Sequence, residues 1–524
     1  MSAPAQITIQ SPVQLILEEI EKQKPTTAEQ LVAIKKKIGK QFGLSDVVSN
    51  SDLLEASGAK RQELEKLLKI RHVRSLSGVS VIAIMTKPAG CPGKCIYCPG
   101  GVTSPKSYTG FEPAAQRAKQ NNYDAYRQVQ NRLTQLEAIG HKPEKCDVIV
   151  MGATFNAFPR NYQHEFVKGA FDGFNGFISP SIEESQKVNE TAKYRVIGLT
   201  FETRPDWCSE DDIKWFLSLG ATRIELGVQS LDEAVLKKIE RGHGVRESIE
   251  ATQRCKDSFL KVCHHFMPGT FSNPDKDVAM FRRLFEEESF RPDMIKIYPC
   301  LVLPNTPLYE MWKKGEFEPY DSATAADVIA RCKEFIPPWC RVMRVDRDIP
   351  TTLVAAGVKN SNLREMVKAK CDEYGIKCKC IRCREAGLLA RDGKIPEIKD
   401  AKLKRIDYKA SGGEEVFLSF EADDVLFGFC RLRKPGKPFI SEIDNRTCGI
   451  RELHVYGDQV PIGGSGKVQH HGIGKALLQE AEKIAMEEFD TKKLLIISGV
   501  GAREYYKKIG FERMGTYMGK NLSG

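Results

Sequence analysis

No stretch of the 524-residue sequence approaches the ~20 consecutive apolar residues that a membrane-crossing helix needs. The opening residues, "MSAPAQITIQSPVQLILEEIEK", lack a basic segment leading into an apolar core, so they do not read as a secretory leader. There is no internal repeat and no long low-complexity linker, which sets aside repeat architectures. These absences point to a cytoplasmic protein with no membrane association. Extreme charge is missing too. The 79 Lys and Arg against 69 Asp and Glu leave a formal +10, which favours a polyanionic partner such as nucleic acid without establishing one. With 41% hydrophobic and 28% charged residues and a mean hydropathy of −0.36, the chain has plenty to bury. Its length implies about three domains rather than one core.

Cysteine is plentiful: there are 16. A disulfide framework belongs to small secreted chains, whereas here six cysteines form two tight clusters and the rest are scattered, so reduced thiolates holding metal are expected.

Residues 1–75 read as helices, with apolar residues three and four apart in "VQLILEEIEKQ", "AEQLVAIKKKIGKQFG" and "KRQELEKLLKIRHVR". A basic face made by Lys35, Lys36, Lys37, Lys40, Arg71 and Arg74 is a candidate RNA contact; a solvated helical bundle is the plainer alternative. From "VSVIAIMTKP" to about Pro350, short β-rich runs alternate with helical ones. The expected strands are "VSVIAIM", "DVIVMGATF", "YRVIGLTFETRP", "RIELGVQS", "KVCHHFMPG", "MIKIYPCLV" and "CRVMRVDRDIP". This pattern predicts an α/β fold with a parallel sheet, and six or seven units over residues 76–360 make it an incomplete barrel of the TIM type. Residues 361–394 read as a cysteine-rich linker. Residues 395–524 read as an α+β domain of strands, the loop "VQHHGIG", the helix "KALLQEAEKIAMEEF", the strand "KLLIISG", the short helix "REYYKKI" and one final strand.

Period-two reading assigns side chains to the barrel lumen. If Ile224, Leu226 and Val228 face the helices, then Glu225, Gly227 and Gln229 point inward. The same logic turns Thr200, Glu202, Arg204, Lys296 and Tyr298 inward. Charges on central strands need a polar destination, either internal ion pairs or a site at the carboxyl ends.

Cys91, Cys95 and Cys98 give three thiolates on the loop after the first barrel strand, where a closed cubane or structural zinc site has four ligands. One metal corner is left open. The C-x3-C-x2-C spacing resembles the radical S-adenosylmethionine superfamily, which implies a [4Fe-4S] cluster whose open iron takes S-adenosylmethionine; a zinc knuckle with a distant fourth ligand is the alternative. Gly152 then lies at the strand end that binds the cofactor's amino group. Glu202, Arg204, Gln229, His265 and Met267 are candidates for the rest of the cofactor.

Gln469, Gly472, Ile473, Gly474 and Lys475 open a helix whose glycines and amino-terminal partial charge suit a pyrophosphate. The order of "RELHVYG", this helix, "LLIISG" and "REYYKKIGF" resembles the GCN5-related (GNAT) acetyltransferases. That resemblance implies main-chain pairing of Glu452, Leu453, His454 and Val455 with pantetheine, and Tyr506 near the thioester. Tyr505 and Tyr506 cannot face the same way, and a core aromatic is the alternative reading of either. Cys378, Cys380 and Cys383 suit a structural zinc ion, with Cys371 as a candidate fourth ligand.

The pairing of the two modules, with "CIYCPGG", "SYTGFEPAAQRA", "FETRPDWC", "IELGVQS", "CIRCREAG" and "SGVGAREYYKKIGF", resembles the Elongator catalytic-subunit family of tRNA wobble-uridine acetyltransferases, archaeal type. The resemblance implies tRNA as substrate, acetyl-CoA as co-substrate and 5-carboxymethyluridine as product. It places Lys145 at the acetyl-CoA site, and Lys296, Tyr505 and Tyr506 are the catalytic candidates. Two departures fall on the cofactor pocket: "MPGTFSNPD" replaces the family's glycine-proline run, and Ala153 stands at a common glycine. A protein lysine acetyltransferase with a structural barrel and an RNA-binding scaffold are the competing readings; a homodimer or accessory subunits are left open.

Overall fold

The computed structural model describes residues 11–43, 48–58, 64, 68, 77–100, 103–393, 395–457 and 472–522, without the side chains of residues 28, 391 and 392. It forms two compact units, Met1–Ser75 with Gln130–Pro143, and Leu76–Val129 with Glu144–Gly524.

In the first unit, helices Pro12–Gln23, Ala28–Gln41 and Asn50–Ala56 each begin at a capping box, closed by Ser11, Thr27 and Ser49. Their apolar stripes meet in a core of Ile16, Ile20, Leu31, Ile34, Ile38, Leu53, Leu54 and Leu68.

The second unit holds two sheets. The first is entirely parallel and runs in chain order: β1 (Ser80–Met85), β2 (Lys145–Met151), β3 (Arg195–Thr203), β4 (Arg223–Gln229), β5 (Lys261–Phe266), β6 (Met294–Ile297) and β7 (Arg341–Arg344). It is the expected incomplete barrel, since β7 does not pair back to β1. Helices cover its outer face. Val148 and Val150 of β2 and Val196 and Leu199 of β3 meet Val167, Ala170, Phe171 and Phe174 of helix Arg160–Asn175. The alternate side chains are thereby sent into the lumen.

The second sheet has the order β13-β14-β12-β11-β10-β9-β8, from β8 (Lys402–Ala410), β9 (Gly413–Ala422), β10 (Val425–Lys434), β11 (Thr447–Val455), β12 (Lys493–Ile496), β13 (Glu512–Met514) and β14 (Tyr517–Asn521). The chain ends in an antiparallel hairpin, β13–β14, where the sequence suggested one strand: the turn at Gly515, with φ +60°, folds it back. Parallel pairing of β11 with β12 stops at Ile450–Ile496, while β11 runs on to Val455, so the two strands part there.

The second sheet docks on the amino ends of the barrel strands. His454 Nε2 lies 2.9 Å from the carbonyl of Ser77, just before β1. Arg451 donates to the carbonyl of Leu260, before β5, at 2.9 Å and to Asp293, before β6, at 2.8 Å. Tyr517 donates to the carbonyl of Ser258 at 3.0 Å. The cysteine loop follows β1 and therefore sits at the other end of the lumen. Among the described residues, no helix is long and apolar enough to cross a membrane.

Candidate active site

The cysteine loop is held by backbone bonds and two arginines. The Ile96 N–H donates to the carbonyl of Ile239 at 3.1 Å, and Cys98 N–H closes a turn onto Cys95. Arg204, nearly buried, pairs with Asp206 at 2.8 Å and donates to the carbonyl of Arg241 at 2.7 Å. Its Nη1 lies so close to Gly93 that any Cβ there would strike it. Arg241 Nη1 points at Cys95 Sγ, 3.3 Å away, and its Nη2 donates to the Gly227 carbonyl. Cys91 and Cys98 have hydroxyl neighbours, Thr154 and Ser107, each at 3.6 Å.

Below the loop, lumen charges pair in a column. Tyr108 donates to Glu202 at 2.8 Å, and Lys296 lies 3.9 Å from Glu202 and is bonded to Glu225. His265 Nε2 is 2.8 Å from the same Glu225 carboxylate. Deeper still, Arg223 joins Glu225 to Asp147 at 3.4 and 3.0 Å. Burial alone would push the Lys296 ammonium towards neutrality, but Glu225, Tyr298 and Glu202 together outweigh it and hold its pKa well above the usual lysine value. Burial would likewise raise Glu225; Lys296, His265 and Arg223 hold it well below the carboxylate range. Period-two reading anticipated Glu202, Glu225 and Lys296 as inward residues, and this network is where they meet.

Gly152 takes φ +135°, and a Cβ there would strike Thr86 Oγ1, a buried hydroxyl with no partner. Ala153 follows with φ +71°, a backbone that favours the glycine it replaces. Gln229, also at positive φ, accepts from the Met267 N–H at 2.9 Å, so these two candidates lie side by side at the carboxyl ends of β4 and β5.

At the opposite end, β11 divides its side chains. Glu452 bonds Arg431 at 2.8 Å and His454 faces the barrel. Leu453 and Val455 flank Gly474 at the start of helix Ile473–Glu487, where the Tyr505 hydroxyl also arrives. Gly472 caps this helix at φ +82°, Ile473 is buried and Lys475 exposed. Tyr506 is buried and packs edge-on against Phe511, so of the two tyrosines Tyr505 reaches the start of this helix and Tyr506 packs in the core. Lys145 begins β2 at this same end, with burial lowering its pKa. Gln469, Arg71 and Arg74 lie outside the described residues.

The Cys378, Cys380 and Cys383 thiols lie within 4.8 Å of one another, with the Lys333 ammonium 3.6 Å from Cys383; Cys371 is buried but not part of that group. In the first unit Lys36, Lys37 and Lys40 are exposed. Lys35 is not: it is 6% exposed and donates to Asn50 at 2.8 Å, which corrects its assignment to an RNA-facing surface.

The residues fit the groups the sequence implies. Three free thiols on one loop, all partly exposed, suit three corners of a cubane. The Thr86 hydroxyl and Arg204 Nη1, neither with a partner among the described residues, offer polar contacts at this end of the lumen. Sequence reasoning missed Arg241 and His243. Both lie in a loop without periodicity, and the only signal is the run "RGHG". His243 is 8% exposed, its Nε2 has no partner, and burial together with Arg241 pushes its pKa down to about 4.

Residues 85–285 match the Radical SAM superfamily, 292–373 the Radical_SAM C-terminal domain and 389–511 the Acetyltransferase (GNAT) family. The chain is 50% identical over 488 residues to a tRNA uridine(34) acetyltransferase of Methanocaldococcus jannaschii, covering 90% of each chain. It is 39% identical over 538 residues to Elongator complex protein 3 of Homo sapiens, covering 99% of this chain and 98% of that one. The solved structure of Methanocaldococcus infernus Elp3 with N-terminus deletion (1–46) matches with TM-score 0.77 and 46% identity, over 86% of this chain and all of that one. With its barrel, its second sheet and near end-to-end similarity, the chain belongs to the family of the tRNA uridine(34) acetyltransferases and Elongator complex protein 3.

Proposed function

We propose that this chain is a tRNA-modifying enzyme that couples S-adenosylmethionine radical chemistry to acetyl-CoA and forms 5-carboxymethyluridine at the wobble position. The observation that carries the reading is the charged lumen, which begins at a loop of three thiols and ends beside the parted strands of a GNAT sheet. The names of the relatives support the substrate and the position modified.

Cys91, Cys95 and Cys98 would hold a [4Fe-4S] cluster, with Gly152, Glu202, Arg204, Gln229, His265 and Met267 the candidates around S-adenosylmethionine. Gly472, Ile473, Gly474, Lys475, the β11 edge and Lys145 would hold acetyl-CoA. Bound together, these groups supply one-electron hydrogen abstraction and the methyl carbon to be joined to the base. Lys296 is locked as an ammonium, so Nζ can donate a hydrogen bond to a carbonyl or base but is poorly suited to give up or take a proton. The seven-residue β2 spans roughly 20 Å at ~3.3 Å per residue, so an acetyl donor seated on β11 must reach along the lumen to meet the cysteine end. Cys378, Cys380 and Cys383 suit a structural zinc ion. Exposed Lys36, Lys37 and Lys40 are offered as phosphate contacts, so tRNA affinity should fall steeply with salt and replacing all three by Ala should flatten that slope. A tRNA substrate suits a cytoplasmic enzyme.

The test is mass spectrometry of wobble nucleosides after anaerobic incubation with S-adenosylmethionine, acetyl-CoA and tRNA. Carboxymethyluridine is expected. Its absence beside acetylated protein would favour a protein lysine acetyltransferase instead. Lys296→Ala should keep the cluster and tRNA affinity and lose the product; undiminished product would remove Lys296 from the catalytic groups.

A further inference from the structure

Arg241 is 6% exposed, yet among the described residues its guanidinium makes no ion pair with a carboxylate. Its neighbour Arg204 holds the Asp206 carboxylate as its ion pair, so Arg241 feels Asp206 only at longer range beside hydrogen bonds to the Gly227 carbonyl and to Cys95 Sγ at 3.3 Å, and its Nε–H has no acceptor among the described residues. A buried cation without an ion pair of its own is costly, so the arrangement asks for an anion at the place where Nη1 points. That place is the cysteine loop. A cubane held by three thiolates is anionic, and it gains a further negative charge on reduction. The guanidinium is also fixed in place. A Cβ at Gly227 would come within 2.7 Å of Nη2, and the bond from Ile96 N–H to Ile239 ties the loop preceding Arg241 to the cysteine loop.

We propose that Arg241 is a positioning residue for the cluster, supplying the compensating positive charge and an N–H donor to the Cys95 thiolate and so raising the potential at which the cluster accepts an electron. This rests on the cluster reading of Cys91, Cys95 and Cys98. The step concerned is a one-electron reduction by a low-potential donor; Arg241 itself gives up neither electron nor proton. Charge and hydrogen bonds to cluster sulfurs are established determinants of such potentials.

The test is an anaerobic redox titration with dithionite, read by electron paramagnetic resonance, on the cluster-loaded full chain. Arg241→Gln should keep iron and sulfide content and shift the midpoint to more negative potential. Arg241→Lys, which keeps the charge, should restore most of the shift. Gly227→Ala, which displaces the guanidinium without removing it, should shift the midpoint in the same direction as Arg241→Gln. Equal midpoints in wild type, Arg241→Gln and Gly227→Ala at equal cluster content would overturn the proposal. Should Arg241→Gln fail to load, pulsed resonance on wild-type protein carrying guanidinium-15N arginine decides it: a nitrogen coupling to the reduced cluster that Arg241→Lys abolishes supports the contact, and no coupling in the wild type overturns it. A wild-type chain with no four-iron signal would refute the cluster reading itself, a separate result.

Discussion

The two ends of the barrel bury arginines in opposite ways. At the amino ends, Lys256, Arg431, Arg433 and Arg451 interlock with Asp257, Asp293, Glu415 and Glu452, four cations with four carboxylates. This is a closed account of charge across the contact between the two sheets. At the carboxyl ends, Arg241 meets a thiol and, among the described residues, forms no ion pair with a carboxylate. The difference separates two uses of the same side chain. A neutral network serves to join two lobes, and an unbalanced charge marks a place where something anionic binds.

The sharpest way to break the comparison is to unbalance the closed end. Asp293 faces three cations, with Lys256 at 3.6 Å, Arg431 at 3.8 Å and Arg451 bonded to it. Asp293→Ala should cost about 3–5 kcal/mol, read as a lower urea midpoint, because it strands buried cations. A loss under about 1 kcal/mol would mean the network is not a structural joint.

Acid should reach the same end more gradually. Burial opposes ionisation of Asp293 and Glu415, but Arg451 and its neighbours hold both below the usual carboxylate values. A depressed carboxylate contributes stability that is fully present above its unfolded pKa, near 4, and is lost as pH falls through its folded value. On acidification stability should therefore begin to fall below about pH 6.5, where unfolding frees buried His243 and His264 to take up protons, and should fall further below about pH 4 as the carboxylates protonate. Asp293→Ala should make that acid decline shallower.

Period two across β-rich runs was enough to find the seven strands and to turn Glu202, Glu225 and Lys296 inward, because alternation is a local property of the chain. The docking of the second sheet on the amino ends was not legible, since Arg451 and Asp293 are 158 residues apart and no local pattern links them. Arg241 was invisible for a similar reason: its role comes from the meeting of two loops. Lys35 was legible and misread. Positions 31, 34, 35 and 38 share one helical stripe, and Leu31, Ile34 and Ile38 are its core, so a count of basic residues obscured a phase the helix already set.

The open end offers a milder contrast. In cluster-free protein Arg241 is a buried cation with no ion pair among the described residues, so Arg241→Gln should leave the denaturation midpoint unchanged or raise it, in contrast to the Asp293→Ala loss. A loss as large as that at Asp293 would show that Arg241 is a structural residue and that the two ends are alike.

The smallest effect belongs to Ala153, beside the same pocket. Its φ of +71° is a conformation that costs a residue with a Cβ about 1–2 kcal/mol. Glycine would remove that cost, but it loses about 0.5–1 kcal/mol more than alanine in chain entropy on folding. Ala153→Gly should therefore stabilise the chain by only about 0.5 kcal/mol, measured as a small upward shift of the urea midpoint. A destabilisation would mean that the Ala153 methyl makes packing contacts worth more than the backbone strain it imposes, and that the departure from glycine is a compensated feature of the pocket.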